Sequence, residues 1–245
     1  MAIYACSDLH GRLSAWNCIK DYLYEDDVLY IIGDVIDRGE DSYKILEDII
    51  QKPKQYILLQ GNHEFMAAAA IKHCMDENLM YSEVRLWYHN GGEITFNQLK
   101  ENHKELFYQE YFTNLPYSIE LNVNNKHNKH IVLCHSGKHY CYSNFCTIED
   151  LVWNRSFIEV PWDNTRKDLE NTYIIHGHTP VGFLKSTYLQ AIDPIRPIEK
   201  DKFAIYANGH KINIDLGLSD PRNHTVGLLN LETFEEIYFK DNEGV

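Results

Sequence analysis

Along the N-terminal third of the chain, short unbroken apolar runs alternate with stretches whose apolar positions recur every three to four residues. The runs lie at 2–6 (AIYAC), 28–32 (VLYII) and 56–60 (YILLQ), and the amphipathic stretches at about 13–24 and 41–51. Unbroken runs of this length mark strands covered on both faces, and the 3.6-residue repeat between them marks helices lying on a core. The alternation predicts βαβ units and therefore an α/β fold with a parallel sheet. Loops leaving the carboxyl ends of such strands share one edge, where residues distant in sequence converge.

Further along, the pattern changes. Residues 65–112, which open with FMAAAAIKHCMDENLM and carry Asn90-Gly91-Gly92, read as an insert of several short helices capping one side of the cleft. Strand-like runs then resume with IVLC before His135, YIIHGH at 173–178 and INIDLG at 212–217, and these extend the sheet. TVGLLNLET at 225–233 followed by EEIYF predicts an antiparallel hairpin turning near Glu232-Thr233-Phe234, while 187–210 read as a long loop or a short hairpin. No repeat or linker divides the 245 residues, so a single domain over 1–245 is expected.

The ends of the apolar runs carry the chemistry. They read Ser7-Asp8-Leu9-His10-Gly11, Gly33-Asp34-Val35-Ile36-Asp37-Arg38-Gly39, Gly61-Asn62-His63-Glu64, His135 and Gly177-His178-Thr179-Pro180. Asp8, His10, Asp34, Asn62, His135 and His178 offer carboxylate, amide and imidazole donors with no thiolate. That set suits two adjacent divalent cations, manganese first, with iron, zinc or magnesium as alternatives. Asp34, at the end of the most apolar strand, is placed to bridge the pair. Two such cations hold a hydroxide and clamp a phosphoryl group for in-line attack, so no serine or cysteine nucleophile is required. His63 is the expected proton donor to the leaving alkoxide, with Asp37 holding its other ring nitrogen. Arg38 can present planar bidentate donors to phosphate, and Arg155, in Trp153-Asn154-Arg155, either does the same or forms a surface salt bridge. Alone, Gly-Asn-His-Glu would read as a turn with Asn62 capping the next helix. Five motifs in order, each at a strand end, favour the metal site.

Composition narrows the partners. The net charge is −13 and no run of Lys or Arg forms a stripe, which argues against nucleic acid as partner. No apolar run approaches the ~20 residues of a membrane span, and the opening MAIYACSDLHG reaches the first motif without a signal-peptide pattern, so a cytoplasmic protein with no membrane partner is expected. The six cysteines show no Cys-x-x-Cys spacing, and Cys6 and Cys134 lie inside apolar runs as small hydrophobes. His139, His176 and His210 read as ordinary surface or loop residues.

These motifs and their spacing resemble the calcineurin-like metallophosphoesterases, and within them the phosphoprotein phosphatase branch, particularly the compact bacterial and phage Ser/Thr phosphatases. Asn90-Gly91-Gly92 and Trp153-Asn154-Arg155 also match the phage-type enzymes. The resemblance implies a central β-sandwich flanked by helices, with a dinuclear metal site at the strand C-terminal ends. It implies that Asp8, His10 and Asp34 bind one metal and Asp34, Asn62, His135 and His178 the other. It further implies that Arg38, His63 and Arg155 contact the substrate phosphate beside Asn62, and that Asp37 supports His63. The implied activity is hydrolysis of phosphomonoesters in a phosphorylated protein, peptide or small substrate. Symmetrical dinucleoside tetraphosphatases share most of the motifs, which keeps a nucleotide hydrolase as the alternative, and a non-catalytic metal-binding regulator as a third reading. Two positions depart from the family pattern: Ser7 stands where glycine is usual, and Gln60 where an arginine often precedes Gly-Asn-His-Glu.

Overall fold

The computed structural model describes residues 1–76, 80–123, 128–141, 145–187 and 193–241. The three N-terminal apolar runs form β1 (Ile3–Cys6), β2 (Val28–Ile31) and β3 (Tyr56–Leu58), paired in parallel in the order β1-β2-β3. The amphipathic stretches between them form α1 (Leu13–Tyr22) and α2 (Ser42–Gln51). Both faces of these strands are covered, which is why they read as unbroken runs. Tyr4, Cys6, Leu29 and Ile31 pack toward the helices in one apolar cluster, whereas Ala5, Ile32 and Leu59 face a second cluster on the other side.

The predicted insert is helical: α3 (Asn62–Met75), α4 (Ser82–His89), α5 (Gly92–Glu101) and α6 (Glu105–Thr113). The chain then forms β4 (Ser118–Val123), β5 (Lys129–Cys134), α7 (Ile148–Trp153), β6 (Thr172–His176), α8 (Val181–Thr187), β7 (Ala204–Tyr206), β8 (Lys211–Asn213), β9 (Thr225–Asn230) and β10 (Glu236–Lys240).

One expectation is corrected here. The runs before His135, at 173–178 and at 212–217 do not extend the first sheet; they belong to a second one, ordered β4-β5-β6-β8-β7, while the first is β10-β9-β1-β2-β3. The physical reason is burial. Ala5, Ile32 and Leu59 give the first sheet an apolar inner face, and the second sheet closes over it with Ile131, Leu133, Ile175 and Ile212. The result is the β-sandwich flanked by helices that the family resemblance implied. The C-terminal hairpin forms as expected, β9 antiparallel to β10, and β9 also lies antiparallel beside β1. Of 187–210, residues 188–192 lie outside the described residues, and the rest contains β7, which forms a short antiparallel hairpin with β8.

Candidate active site

The loops leaving β1 and β2 are laced together, with Asp8 N–H donating to Gly33 O (3.1 Å), His10 N–H to Asp34 O (2.9 Å) and Gly11 N–H to Val35 O (2.7 Å). The loops after β5 and β6 meet likewise, Gly177 N–H donating to His135 O at 3.0 Å. Turning sharply at these strand ends forces Asp8, His10, Asp34, Asp37, Arg38 and His178 to positive φ, between 44° and 73°. Six non-glycine residues in the left-handed region, all in the motifs, are backbone strain concentrated at one site. At Gly61 a side chain is excluded outright, because a Cβ would stand 2.2 Å from Asp34 Oδ1.

The hub is Asp34. Its Oδ1 accepts the His63 backbone N–H at 3.0 Å, and its Oδ2 faces three imidazoles: His135 Nε2 at 3.3 Å, His10 Nε2 at 3.8 Å and His63 Nε2 at 3.9 Å. Two buried groups able to hold a metal ion share it, His10–Asp34–His63 and Asp34–His135–His178. Asn62 Oδ1 lies 3.1 Å from His135 Nε2 and 2.8 Å from His178 Nδ1, joining the second group. Asp8 is buried beside them, its carboxylate accepting the Ser7 hydroxyl and the His178 backbone N–H. The six residues expected as metal ligands are thus brought together, with His63 drawn close enough to join the first group.

The imidazole tautomers test whether the site suits a cation. His10 Nδ1 faces Ile36 O at 3.2 Å and His135 Nδ1 faces Ile32 O at 2.7 Å. A carbonyl only accepts, so each Nδ1 carries a proton and Nε2 is the nitrogen turned toward Asp34. Such outer hydrogen bonds orient histidines that bind metals. Electrostatics agree. Burial pushes Asp8 up to about 7 against the pull of His135, and pushes Asp215 well above the carboxylate range with Asp8 adding to it, as expected where buried carboxylates lie together. Burial, His63 and Arg38 hold His10 well below its ordinary value, and burial with His135 and Arg155 does the same to His178. Asp34 stays ionised: burial alone would raise it, but His135 and His63 hold it well below the usual range.

A cavity of about 440 Å³ opens over these groups, with Arg38 and Asn90 in its lining as well as Trp153, Arg155, Pro180 and Phe183. Arg38 Nη1 donates to His10 Nε2 at 3.2 Å. Arg155 Nη1 donates to His178 O at 2.9 Å and to Thr179 Oγ1 at 2.8 Å, which ties it to the motif loop. A second lobe of about 350 Å³ shares His10, Arg38 and Ser219 with the first.

A sequence model of the calcineurin-like phosphoesterases matches residues 1–212. The chain belongs to this family. Serine/threonine-protein phosphatase 2 of Escherichia coli K12 is 24% identical over 191 residues, covering 72% of this chain and 78% of that protein. The symmetrical bis(5'-nucleosyl)-tetraphosphatase of Pseudomonas syringae is 29% identical over 75 residues, 29% of this chain, so the chain spans about a quarter (26%) of that relative's length. A solved metallophosphoesterase from Sphaerobacter thermophilus shares the fold, with a TM-score of 0.54 at 16% identity over 98% of this chain and 88% of that one.

Sequence reasoning passed over most of the residues that hold the motifs. Glu64 accepts the backbone N–H groups of Asp34 (2.8 Å), Val35 (2.9 Å), Ile36 (3.4 Å) and Gly61 (3.0 Å). It also completes the helix start, where the cap is Gly61 and Asn62 is the first helical residue. Asp37 receives N–H bonds from His63 Nδ1 and Trp87 Nε1, and its own N–H is held by Ser42 and Thr95. The insert therefore reaches the site, since Trp87 lies on α4. Asn90-Gly91-Gly92 backs it: Gly91 O accepts the Arg38 N–H, and a side chain on Gly92 would collide with the Trp87 indole at 2.3 Å. His139 and His176 are buried, not surface residues. His176 ends β6 with its ring turned inward to Tyr206 Oη at 2.6 Å, and burial brings its pKa down to about 3. Among the described residues no helix is long and apolar enough to cross a membrane.

Proposed function

We propose that the chain is a metal-dependent phosphatase of phosphoserine and phosphothreonine in proteins, working as one catalytic domain. The observation that carries the phosphatase reading is the buried Asp37–His63 pair whose outer nitrogen, Nε2, faces the shared ligand Asp34. Asp8, His10 and Asp34 would hold one divalent cation, and Asp34, Asn62, His135 and His178 the other, with manganese the first choice for this donor set. When bound, such a pair supplies Lewis-acid charge and lowers the pKa of water to near neutrality.

The chain's own residues do the rest. Arg38 and Arg155 line one cavity and orient the phosphate from two directions. His63 holds a proton at Nε2 for the departing oxygen. Asp37 fixes the tautomer through Nδ1 and stabilises the imidazolium before transfer.

Alignment with the Escherichia coli protein phosphatase along most of both chains supports the protein substrate. A second reading, hydrolysis of dinucleoside tetraphosphates, is favoured by the rings of Trp153 and Phe183 in the cavity wall, where a base can stack. The deciding experiment supplies Mn²⁺ to metal-stripped protein with a phosphoserine or phosphothreonine peptide, p-nitrophenyl phosphate and diadenosine tetraphosphate, and uses Asp34→Asn as control. Higher kcat/KM on the peptide is expected. Higher kcat/KM on the dinucleotide would replace the first reading with the second, and no turnover of any substrate by metal-loaded protein would reject both.

A further inference from the structure

Lys211 is fully buried on the middle strand of the β6-β8-β7 segment. Its Nζ donates to Phe157 O at 2.6 Å and Val160 O at 2.8 Å, and lies 3.8 Å from the centroid of the Phe157 ring. Burial lowers its pKa to about 7, while two carbonyls and an aromatic face favour the ammonium. Burying an ammonium between a sheet and the turn that covers it works against stability, and an apolar side chain of similar length would fill the space without that cost. The placement calls for a reason beyond packing.

The two carbonyls belong to the 3₁₀ turn Ser156–Glu159 and the residue after it, which begin directly after Arg155. Asn154 closes the front of that turn, its Oδ1 accepting the Phe157 N–H at 2.8 Å. Lys211 closes the back. Two residues along the same strand, Asn213 Nδ2 donates to Thr179 O at 2.7 Å. Thr179 is also a partner of the Arg155 guanidinium, through Oγ1, and His178 O is the other. One short strand therefore holds both the base of Arg155 and the loop on which its head rests.

We propose that Lys211, with Asn213, is a positioning residue that sets the Arg155 guanidinium at the phosphate site by clamping the 156–160 turn and the 178–179 loop to β8. This rests on the reading of Arg155 as a phosphate contact. Displacement of a substrate-orienting group by as little as ~1 Å is enough to weaken its action strongly. Because Arg155 would hold phosphate in ground and transition states alike, the expected signature lies in KM and in phosphate affinity more than in kcat.

The test is a double-mutant cycle on full-length, Mn²⁺-loaded protein, measuring kcat and KM for p-nitrophenyl phosphate, the inhibition constant of orthophosphate, and the thermal midpoint. Arg155→Ala is expected to raise KM and the inhibition constant about tenfold. Lys211→Met is expected to raise both several-fold with kcat held within about threefold, to add less than about twofold in the Arg155→Ala background, and to be partly rescued in Lys211→Gln, which keeps one donor. Equal effects of Lys211→Met in both backgrounds, or a fall in kcat at constant KM, would overturn the proposal in favour of a purely structural lysine. No effect of Lys211→Met on KM or phosphate inhibition would overturn it as well. Should the methionine variant fail to fold, the same cycle with Lys211→Gln decides between these outcomes. An unchanged KM and inhibition constant in Arg155→Ala alone would instead refute the phosphate-contact reading, a result separable from additivity of the pair.

Discussion

The imidazole of His63 donates its Nδ1–H to the carboxylate of Asp37 at 2.7 Å, with both groups closed off from solvent. The same carboxylate oxygen accepts the Trp87 Nε1–H at 2.8 Å, so two donors on different helices fix its position. Burial by itself would lower the His63 pKa, but Asp34 and then Asp37 outweigh it and leave it raised. The shift favours the protonated ring, the form that a donor to a leaving alkoxide requires.

His63→Asn is expected to reduce kcat by about 10²–10⁴ while bound Mn²⁺ stays stoichiometric. Trp87→Phe, which removes one of two donors to Asp37, is expected to cost about tenfold. Metal analysis alongside kinetics separates the roles. Loss of a full equivalent of metal in His63→Asn would assign His63 to the cation and not to proton transfer.

Glu64 is the keystone of the ligand loops. Burial, with Asp34 adding to it, pushes its pKa up to about 7, and four backbone N–H groups converge on its two oxygens. Glu64→Gln turns an amide NH₂ toward groups that only donate. Weaker Mn²⁺ binding by about 10–100-fold is expected, the usual effect of losing a partner behind metal ligands. Calorimetric titration of the metal-stripped variant checks this, and wild-type affinity would show that the Asp34 loop keeps its shape without the carboxylate.

Metal uptake should depend steeply on pH. Burial would lower the His135 pKa, yet Asp34, 3.3 Å away, overcomes it and raises the value to about 10. The metal-free site thus holds a proton that a cation must displace. Protons compete better at low pH, so apparent affinity is expected to rise with pH between about 6 and 9, by up to about tenfold per unit for each proton expelled. Titrations in buffers of different ionisation enthalpy count the protons released. A flat profile would place His135 outside the coordination sphere.

Much of the site was legible before any contact was known. Asp34, Asn62, His135 and His178 come together as the motif order implied, and Arg38 and Arg155 line the same cavity. Arg155, read as a phosphate contact or a surface salt bridge, is bonded to His178 O and Thr179 Oγ1. The error of one continuous sheet arose because an apolar run reports that a strand is covered on both faces, not what covers it. His176 was misjudged for a related reason, since nothing adjacent in sequence signals the Tyr206 hydroxyl that satisfies it.

What the sequence by itself determined was local: strands from unbroken apolar runs, helices from their repeat, and the donor chemistry that follows each strand. Parallel βαβ geometry then requires strand ends to share an edge, so convergence of the N-terminal motifs was already implied. Only the tertiary structure decided which strands form which of the two sheets, that six motif residues take left-handed backbone angles, and what holds the motif side chains still. Trp87 meets Asp37 across 50 positions and Lys211 meets Phe157 across 54. Such partners are selected by packing of complete elements, and neither periodicity nor motif spacing encodes which buried donor will face which acceptor.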